Sequence, residues 1–265
     1  ATGIGSHSFV KYSTKAYQYG FSSTMTYMND WFFMPLFMFG WLPIVYYTKV
    51  RSIPEYFEKR FNKTARYLAT TMTLLYMIGY IAIQLLTLAT ALYRIYNIPL
   101  MMTVIIIAIA TTIYMHFGGQ TSVIFTDLFQ GLILLFAGLL LFFLGLQYLG
   151  YGQFSNGLSS FWSYLSPGQK LPLAHFNHPP NFNFVGIFWQ DGIAGSIGFL
   201  FLNQGLIMRF MAARSVNEGR KAAAFNVLLI LPISAIVVSN AGWIGRAIAN
   251  GMPGVLPVDL SLIHI

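Results

Sequence analysis

Long runs of apolar residues with no charge among them dominate this chain. Residues 31–48, 67–93, 95–126, 128–169, 192–208 and 222–245 contain no Asp, Glu, Lys or Arg. Runs of about 20 apolar residues are long enough to cross a hydrocarbon core as helices. The pattern predicts six full spans at roughly 22–47, 67–93, 98–117, 121–148, 186–209 and 222–245, with a shorter helical piece at about Ser8 to Tyr19 ahead of them. The expected fold is all-α and polytopic. A soluble domain of this length would need charge over its exterior, and only 8% of residues are charged.

The charges sit where a membrane protein places them. Ten of the 15 Lys and Arg fall in two segments, Lys49 to Arg66 and Arg209 to Lys221. Four spans separate these segments, so both lie on one side, and the excess of positive charge makes that side cytoplasmic. The intervening segment 149–185 carries one charge, Lys170, and is rich in Gly, Pro, Asn and Ser, as expected of an external loop. A net charge of +8 arranged this way reads as a topology signal in a lipid bilayer and not as a nucleic-acid surface. The absence of cysteine excludes disulfides and thiolate metal sites. The five histidines show no ligand spacing, and no phosphate loop or catalytic triad pattern is present, so no enzyme is indicated. The first residues lack an initiator Met and a charged leader, and the last stop without a polar tail. Residues 1–265 are therefore expected to be one membrane transport domain truncated at both ends.

Several polar groups stand out against the apolar background. Ser52-Ile53-Pro54-Glu55 has the form of a capping box with Pro in the first turn, ahead of Tyr56, Phe57 and Phe61 on one face. This predicts a short helix at the membrane interface, or else a simple helix-end loop. Asn29 and Asp30 lie inside the first full span, and Tyr27 shares a face with Asp30. A carboxyl group in a membrane helix costs about 3 kcal/mol on insertion scales unless paired or hydrated, so Asp30 is a functional candidate. The alternatives are an interfacial position or pairing with Lys11 or Lys15. Thr126, Asp127 and Gln130 share a face near the cytoplasmic end of span 121–148. They form an ion path, or Asp127 stabilises a helix N-terminus. Gly131, Gly138 and Gly145 on that span read as helix packing. Asn203 and Gln204, and more weakly Gln84, either bind solute or bridge helices. Gly3 and Gly5 around Ile4 allow an unwound backbone beside a helix start, or a frayed end.

Taken together, several stretches resemble the sodium/solute symporter family, which includes the sodium–glucose cotransporters. They are Ile4-Gly5-Ser6-His7-Ser8-Phe9-Val10, the run Ile53 to Asn62, Gly118-Gly119, Phe125-Thr126-Asp127-Leu128-Phe129-Gln130, and Asn203-Gln204 followed by Arg209, Ala212, Ala213, Arg214 and Ser215. The resemblance implies a leucine-transporter-like fold of two inverted five-helix repeats with sites near the midplane. This chain would hold part of it, from the broken first core helix through six full spans. Sodium ion would be co-transported, held by carbonyls that match Ala1 and Ile4 opposite hydroxyls of a core helix outside this chain. At the positions where sugar carriers hold sugar, the resemblance places Ser8, Tyr27, Asp30, Ser196 and Ile230, with Phe199 at an inner-gate tyrosine position. These departures argue against glucose or galactose and leave other polyols, acids or amino-acid-like solutes. The implied activity is sodium-coupled symport of a small polar organic solute by alternating access across the plasma membrane. The alternative is a membrane sensor domain attached to a signalling module. A non-coupled channel fits a broken first helix less well.

Cysteines introduced at Lys63 and Asn217 are expected to resist an impermeant thiol reagent in intact cells, while one at Gly157 reacts. Labelling at Asn217 without labelling at Gly157 would reverse the topology.

Overall fold

The structure is a computed structural model that describes residues 6–172 and 183–256. Every element longer than an isolated bridge is helical among the described residues. Six segments are long and apolar enough to cross a membrane: His7–Thr48, Lys63–Tyr96, Leu100–Gly119, Ser122–Leu149, Phe184–Leu202 and Val216–Gly251. The expected all-α polytopic class holds. The side chains confirm the medium: on helix Lys63–Tyr96, Leu75 is 66% and Ile78 65% exposed, with no charge between Arg66 and Arg94. Such a face is stable only against hydrocarbon or other helices. At 34 residues this helix is about 51 Å long, more than the ~30 Å of a bilayer core, so it extends past the hydrocarbon.

The chain divides into two compact units. The first contains residues 1–23, 80–172 and 236–265. Its core gathers Ala16, Leu146, Leu149, Phe161, Leu165, Trp243, Ile244 and Ala247. The short helix expected at Ser8 to Tyr19 is Ser6–Tyr19, and it ends at Gly20, whose φ of 67° suits glycine. Phe21 then stacks on Trp243 with ring centroids 4.5 Å apart. Helix Ser6–Tyr19 and the segment around Gly242 meet almost backbone to backbone. A side chain at Gly242 would strike the Ser13 carbonyl and the Tyr17 amide, and Ser13 Oγ donates to Val238 O at 2.8 Å. Small residues let helices approach this closely in lipid. The expected packing role of the glycine series is seen at Gly138, against Val237, and Gly145, against Ile244. Helices Leu100–Gly119 and Ser122–Leu149 run into one another through a single non-helical residue, Gly119, at φ 56° and ψ −159°.

The second unit contains residues 24–79 and 173–235. Its core is Met34, Phe37, Leu42, Val45, Val50, Ile53, Leu200, Ile207 and Ala223, lined with aromatic rings such as Phe37 against Phe210 at 5.1 Å. Four π-helical stretches occur in it, and two of them, Phe37–Trp41 and Asn226–Ile230, share a cause. In Phe37–Trp41 the Leu42 amide bonds the carbonyl of Phe37, five residues back. The next carbonyl in that register, Met38 O, faces Pro43, which has no N–H. Arg220 Nε takes its place at 3.1 Å. In Asn226–Ile230 the Leu231 amide bonds Asn226 O, and the next carbonyl, Val227 O, faces Pro232. Trp31 Nε1 donates to it at 2.9 Å. Proline leaves a carbonyl unpaired, and a side chain from another helix satisfies it.

Several sequence expectations change in detail. Span 186–209 is not one helix: it stops at Leu202, Asn203 is extended at ψ 104°, and a new helix runs Gln204–Met211. Span 222–245 is longer, because helix Val216–Phe225 begins within the basic loop on the N-cap Ser215, which accepts the Glu218 amide. Segment 149–185 is not simply a loop: it contains helix Phe154–Tyr164. Gly157 lies buried in that helix against the Leu146 backbone, so a cysteine there would disturb packing. Gly168, exposed with open space around it, is the sounder probe position for the side expected to be external. The helix expected after Ser52 is Ile53–Arg60, capped by Ser52 Oγ on the Glu55 amide at 3.3 Å. The Glu55 carboxylate reaches one residue further back than a capping box requires, to the Arg51 amide at 2.7 Å. That bond first, and the Lys59 ammonium second, hold the Glu55 carboxyl below its ordinary range. A depressed carboxyl stabilises the folded form above its unfolded pKa, and the contribution fades as pH falls through the folded value.

Trp31→Phe is expected to strand the Val227 carbonyl and to destabilise the full-length protein by about 1 kcal/mol, the net worth of one hydrogen bond. Pro232→Ala restores an amide for that carbonyl and should recover most of the loss. Thermal unfolding of the single and double variants in detergent measures this. Additive losses would show that the indole bond does not replace the missing amide.

Candidate functional site

Two of the residues singled out in the sequence meet. Ser196 Oγ donates to Asp30 Oδ1 at 2.5 Å, across 166 residues of sequence. Both belong to the second unit, Asp30 at the start of helix Asp30–Leu36 and Ser196 at the end of the π-helical stretch Phe188–Ser196. The π register also explains why Ser196 sits there. It lies five residues after Asp191, and its hydroxyl is 3.1 Å from the Asp191 carbonyl. A hydroxyl has one proton, and the shorter contact gives it to the carboxylate. A hydrogen bond among packed helices, away from water, is stronger than one at an aqueous surface.

Asn29 completes the cluster. It interrupts the helix between Met25–Met28 and Asp30–Leu36, and its side chain is 4% exposed. Its Nδ2 has no hydrogen-bond partner among the described residues. The amide lies beside Gly192, where the missing side chain leaves room. Tyr27, on the turn before, is also buried. The result is a carboxylate, a hydroxyl, a backbone carbonyl and an amide donor gathered within apolar helices. It can accept hydrogen bonds from a polar ligand at Asp30 and donate one from Asn29.

The other candidates do different work. Phe199 packs with the aromatic core of this unit. Asn203 caps helix Gln204–Met211, its Oδ1 accepting the Leu206 amide at 3.1 Å. Gln204 is committed at both ends of its amide: Oε1 accepts the Ile53 N–H at 2.9 Å and Nε2 donates to Arg51 O at 3.1 Å. It bridges, as one of the two sequence readings had it, and ties the start of helix Ile53–Arg60 to helix Gln204–Met211. Ile230 is exposed and carries no polar group.

Ser8 and Gln84 belong to the first unit. Gln84 Oε1 accepts the His7 amide at 3.1 Å, one of the N–H groups that a helix start leaves unsatisfied. Gln84 therefore holds the start of helix Ser6–Tyr19, which carries Ser8. Thr126 returns its hydroxyl to its own helix, 3.0 Å from both Ser122 O and Val123 O. Asp127 is half-buried beside it and Gln130 is exposed. Asp127 lies beyond the first turn after Gly119, where the influence of a helix N-terminus has faded. Ala1 and Ile4 lie outside the described residues, as do His175, His178 and His264. No group of three or more His, Cys, Asp or Glu that could hold a metal ion occurs among the described residues.

Asp191, Trp31 and Arg220 were not legible as site or support residues. Asp191 borders a charge-free run and reads as its edge. Only the five-residue π spacing to Ser196, amid Gly192 and Gly195, hints at its place.

The fold is that of a polytopic helical membrane protein, with a polar cluster set among interrupted helices. The model of the sodium:solute symporter family matches residues 1–259, and the chain belongs to that family. It is similar to the sodium/glucose cotransporter of Vibrio parahaemolyticus, 28% identical over 90% of this chain and 44% of that protein. It is also similar to sodium-coupled monocarboxylate transporter 2 of Bos taurus, 26% identical over 80% of this chain and 34% of that protein. With the sodium/sialic acid symporter SiaT of Proteus mirabilis it shares 26% identity over 91% of this chain and 48% of that protein. The chain thus spans between a third and a half of these relatives, which are transporters and not enzymes.

Gln204→Leu is expected to release the loop that it clamps. Amide exchange at Ile53 should quicken by about tenfold or more, the scale of one lost hydrogen bond of roughly 1–1.5 kcal/mol. Mass-spectrometric exchange of the full-length protein in detergent reads it. Unchanged exchange at residues 51–56 would show that the clamp is not formed.

Proposed function

We propose that the protein containing this chain is a sodium-coupled symporter of a small polar organic solute, working by alternating access. The observation that carries this reading is the Asp30–Ser196 bond, which joins two solute-contact candidates inside a chain of the sodium:solute symporter family. A carboxylate placed in the membrane interior is costly, and a ligand that hydrogen-bonds it offsets that cost. Tyr27 and Asn29 flank the same place, and Ser8 and Gln84 are the solute candidates of the other unit. Phe199, Asn203 and Gln204 support the shape of the site: Asn203 makes the helix break, and Gln204 anchors the half-helix that follows it.

Sodium is the coupled ion in this reading. Carbonyls of Ala1 and Ile4 contribute to its site, and Asp127, with Thr126 and Gln130, lines its exit. A half-buried carboxylate holds a partly hydrated cation without trapping it. Coupling requires that ion and solute each favour binding of the other, a reciprocal free energy. One sodium entering down a membrane potential supplies about 2.3 kcal/mol per 100 mV before its own gradient is added. The basic segments 49–66 and 209–221 face the cytoplasm and the protein lies in the plasma membrane.

Uptake by the full-length protein in proteoliposomes, across a panel of polyols, carboxylic acids and amino acids, tests the reading. Replacing sodium by choline should abolish uptake. Asp30→Asn and Ser196→Ala should each raise the half-saturating solute concentration about tenfold or more, with the double variant well short of the product because the two share one bond. Asp127→Asn should raise the sodium requirement and leave solute ranking unchanged. Sodium-independent uptake would exclude symport, and normal kinetics in Asp30→Asn would remove Asp30 from the solute site.

A further inference from the structure

A cavity of about 460 Å³ opens where the second unit's first helix leaves the membrane, lined by Tyr46, Lys49, Arg51, Met208, Met211 and Ala212. It is distinct from the Asp30–Ser196 cluster, with which it shares no residue. Its two sides differ in chemistry. One is apolar and adaptable: Met208 and Met211 lie three residues apart on helix Gln204–Met211 and present flexible thioethers on one face. The other carries two cations, Lys49 and Arg51, both exposed. Neither side chain makes an ion pair or a hydrogen bond among the described residues.

Two of the loop's other four cations are paired with acids, whereas Lys49 and Arg51 are not. Lys59 is held by Glu55 at 3.1 Å and by Thr48 O at 3.3 Å. Arg66 is paired with Glu58. The Glu55 carboxylate is taken by the Arg51 amide and by Lys59, and the Arg51 guanidinium acts on it only through space, without an ion pair. Lys49 also sits in the left-handed region, φ 49° and ψ 39°, at the end of helix Leu42–Thr48. A residue with a Cβ pays about 1 kcal/mol or more there, where glycine would be free. The walls are fixed by Tyr46 Oη donating to Ala213 O at 3.2 Å and by the Gln204 clamp on Arg51 O.

We propose that this cavity binds the phosphate headgroup of an anionic phospholipid from the leaflet that faces the basic loops, with Lys49 and Arg51 on the phosphate and the first methylenes against Met208 and Met211. Three features favour that occupant. The charge-free run ends at Thr48 and the basic loop opens at Lys49, so the cavity lies where the apolar span gives way to charge. Basic pockets between helices at this level suit anionic headgroups. A free anion would leave the methionine face in water, and an apolar ligand would leave two cations unanswered. The volume accommodates a headgroup and the start of its chains.

Native mass spectrometry of the full-length protein in detergent, titrated with phosphatidylglycerol or phosphatidylcholine, tests this. The wild type should retain phosphatidylglycerol at lower concentration than phosphatidylcholine. Lys49→Gln with Arg51→Gln should require roughly thirtyfold more phosphatidylglycerol, with phosphatidylcholine retention unchanged. Met211→Asp, which leaves both cations in place but sets a like charge against the phosphate, should weaken retention in the same sense. Lys63→Gln with Arg60→Gln removes two charges from the same loop outside the cavity and should have little effect. The site is refuted if wild type shows no preference for the anionic lipid, or if the Lys63/Arg60 pair matters as much as Lys49/Arg51. It is refuted equally if millimolar inorganic phosphate displaces the lipid, which would mark a free-anion site. Unfolding temperatures in lipid-free detergent separate lipid loss from misfolding.

Discussion

A chain in hydrocarbon must satisfy its own backbone polar groups, because no water is there to do so. Regular helix meets that demand without help, which is why helix dominates this chain. The informative places are those where helix fails. Pro43 and Pro232 each leave a carbonyl without an amide, and Arg220 and Trp31 answer them from other helices. Gly20 turns the chain after helix Ser6–Tyr19, and its carbonyl receives Trp243 Nε1 at 2.9 Å. Asn203 stops a helix and at once caps the next. The interruptions at the prolines and at Gly20 thus carry long-range bonds, and those bonds tie each unit's helices together where lipid gives apolar surfaces little reason to associate.

The same rule accounts for the polar cluster. A π-helical stretch displaces backbone groups from their ordinary partners and brings residues five apart into line. That geometry sets Ser196 over the Asp191 carbonyl and within reach of Asp30. Asn29 packs beside Gly192. Irregular helix at membrane depth is tolerable only where protein or a water-filled cavity covers it. A carrier needs such irregular stretches, because they expose donors and acceptors that a regular helix consumes. The donor of Asn29 and the acceptor of Asp30 are the kind of groups that a polar solute can use.

The second unit also joins its membrane core to its loops through polar bonds. Gln204 holds both sides of the turn before helix Ile53–Arg60, and Tyr46 holds the segment after helix Gln204–Met211. The helix after Ser52 therefore packs its Ile53, Tyr56 and Phe57 on the unit's core and is not merely adsorbed at an interface. Two motifs that seemed independent along the chain, Ile53-Pro54-Glu55 and Asn203-Gln204, are one contact.

What the sequence determined by itself was the class of protein and most of its elements. Charge-free runs specify membrane helices because insertion depends on composition and length, which are local properties. Ser52 and Glu55 announced a helix start for the same reason: capping acts over three or four residues. The family resemblance was legible too, and with it the expectation of sodium coupling. What the tertiary structure decided was every relation across sequence distance. Nothing local distinguishes Gln204, a clamp on a loop backbone, from a solute ligand. Nothing local told Asn203 from a residue within a continuous span, because only the packed helices favour an extended residue with its own cap over helix. Asp30 was suspect from the sequence, but its partner Ser196 lay 166 residues away, and the π-helical stretch Phe188–Ser196 brought them together.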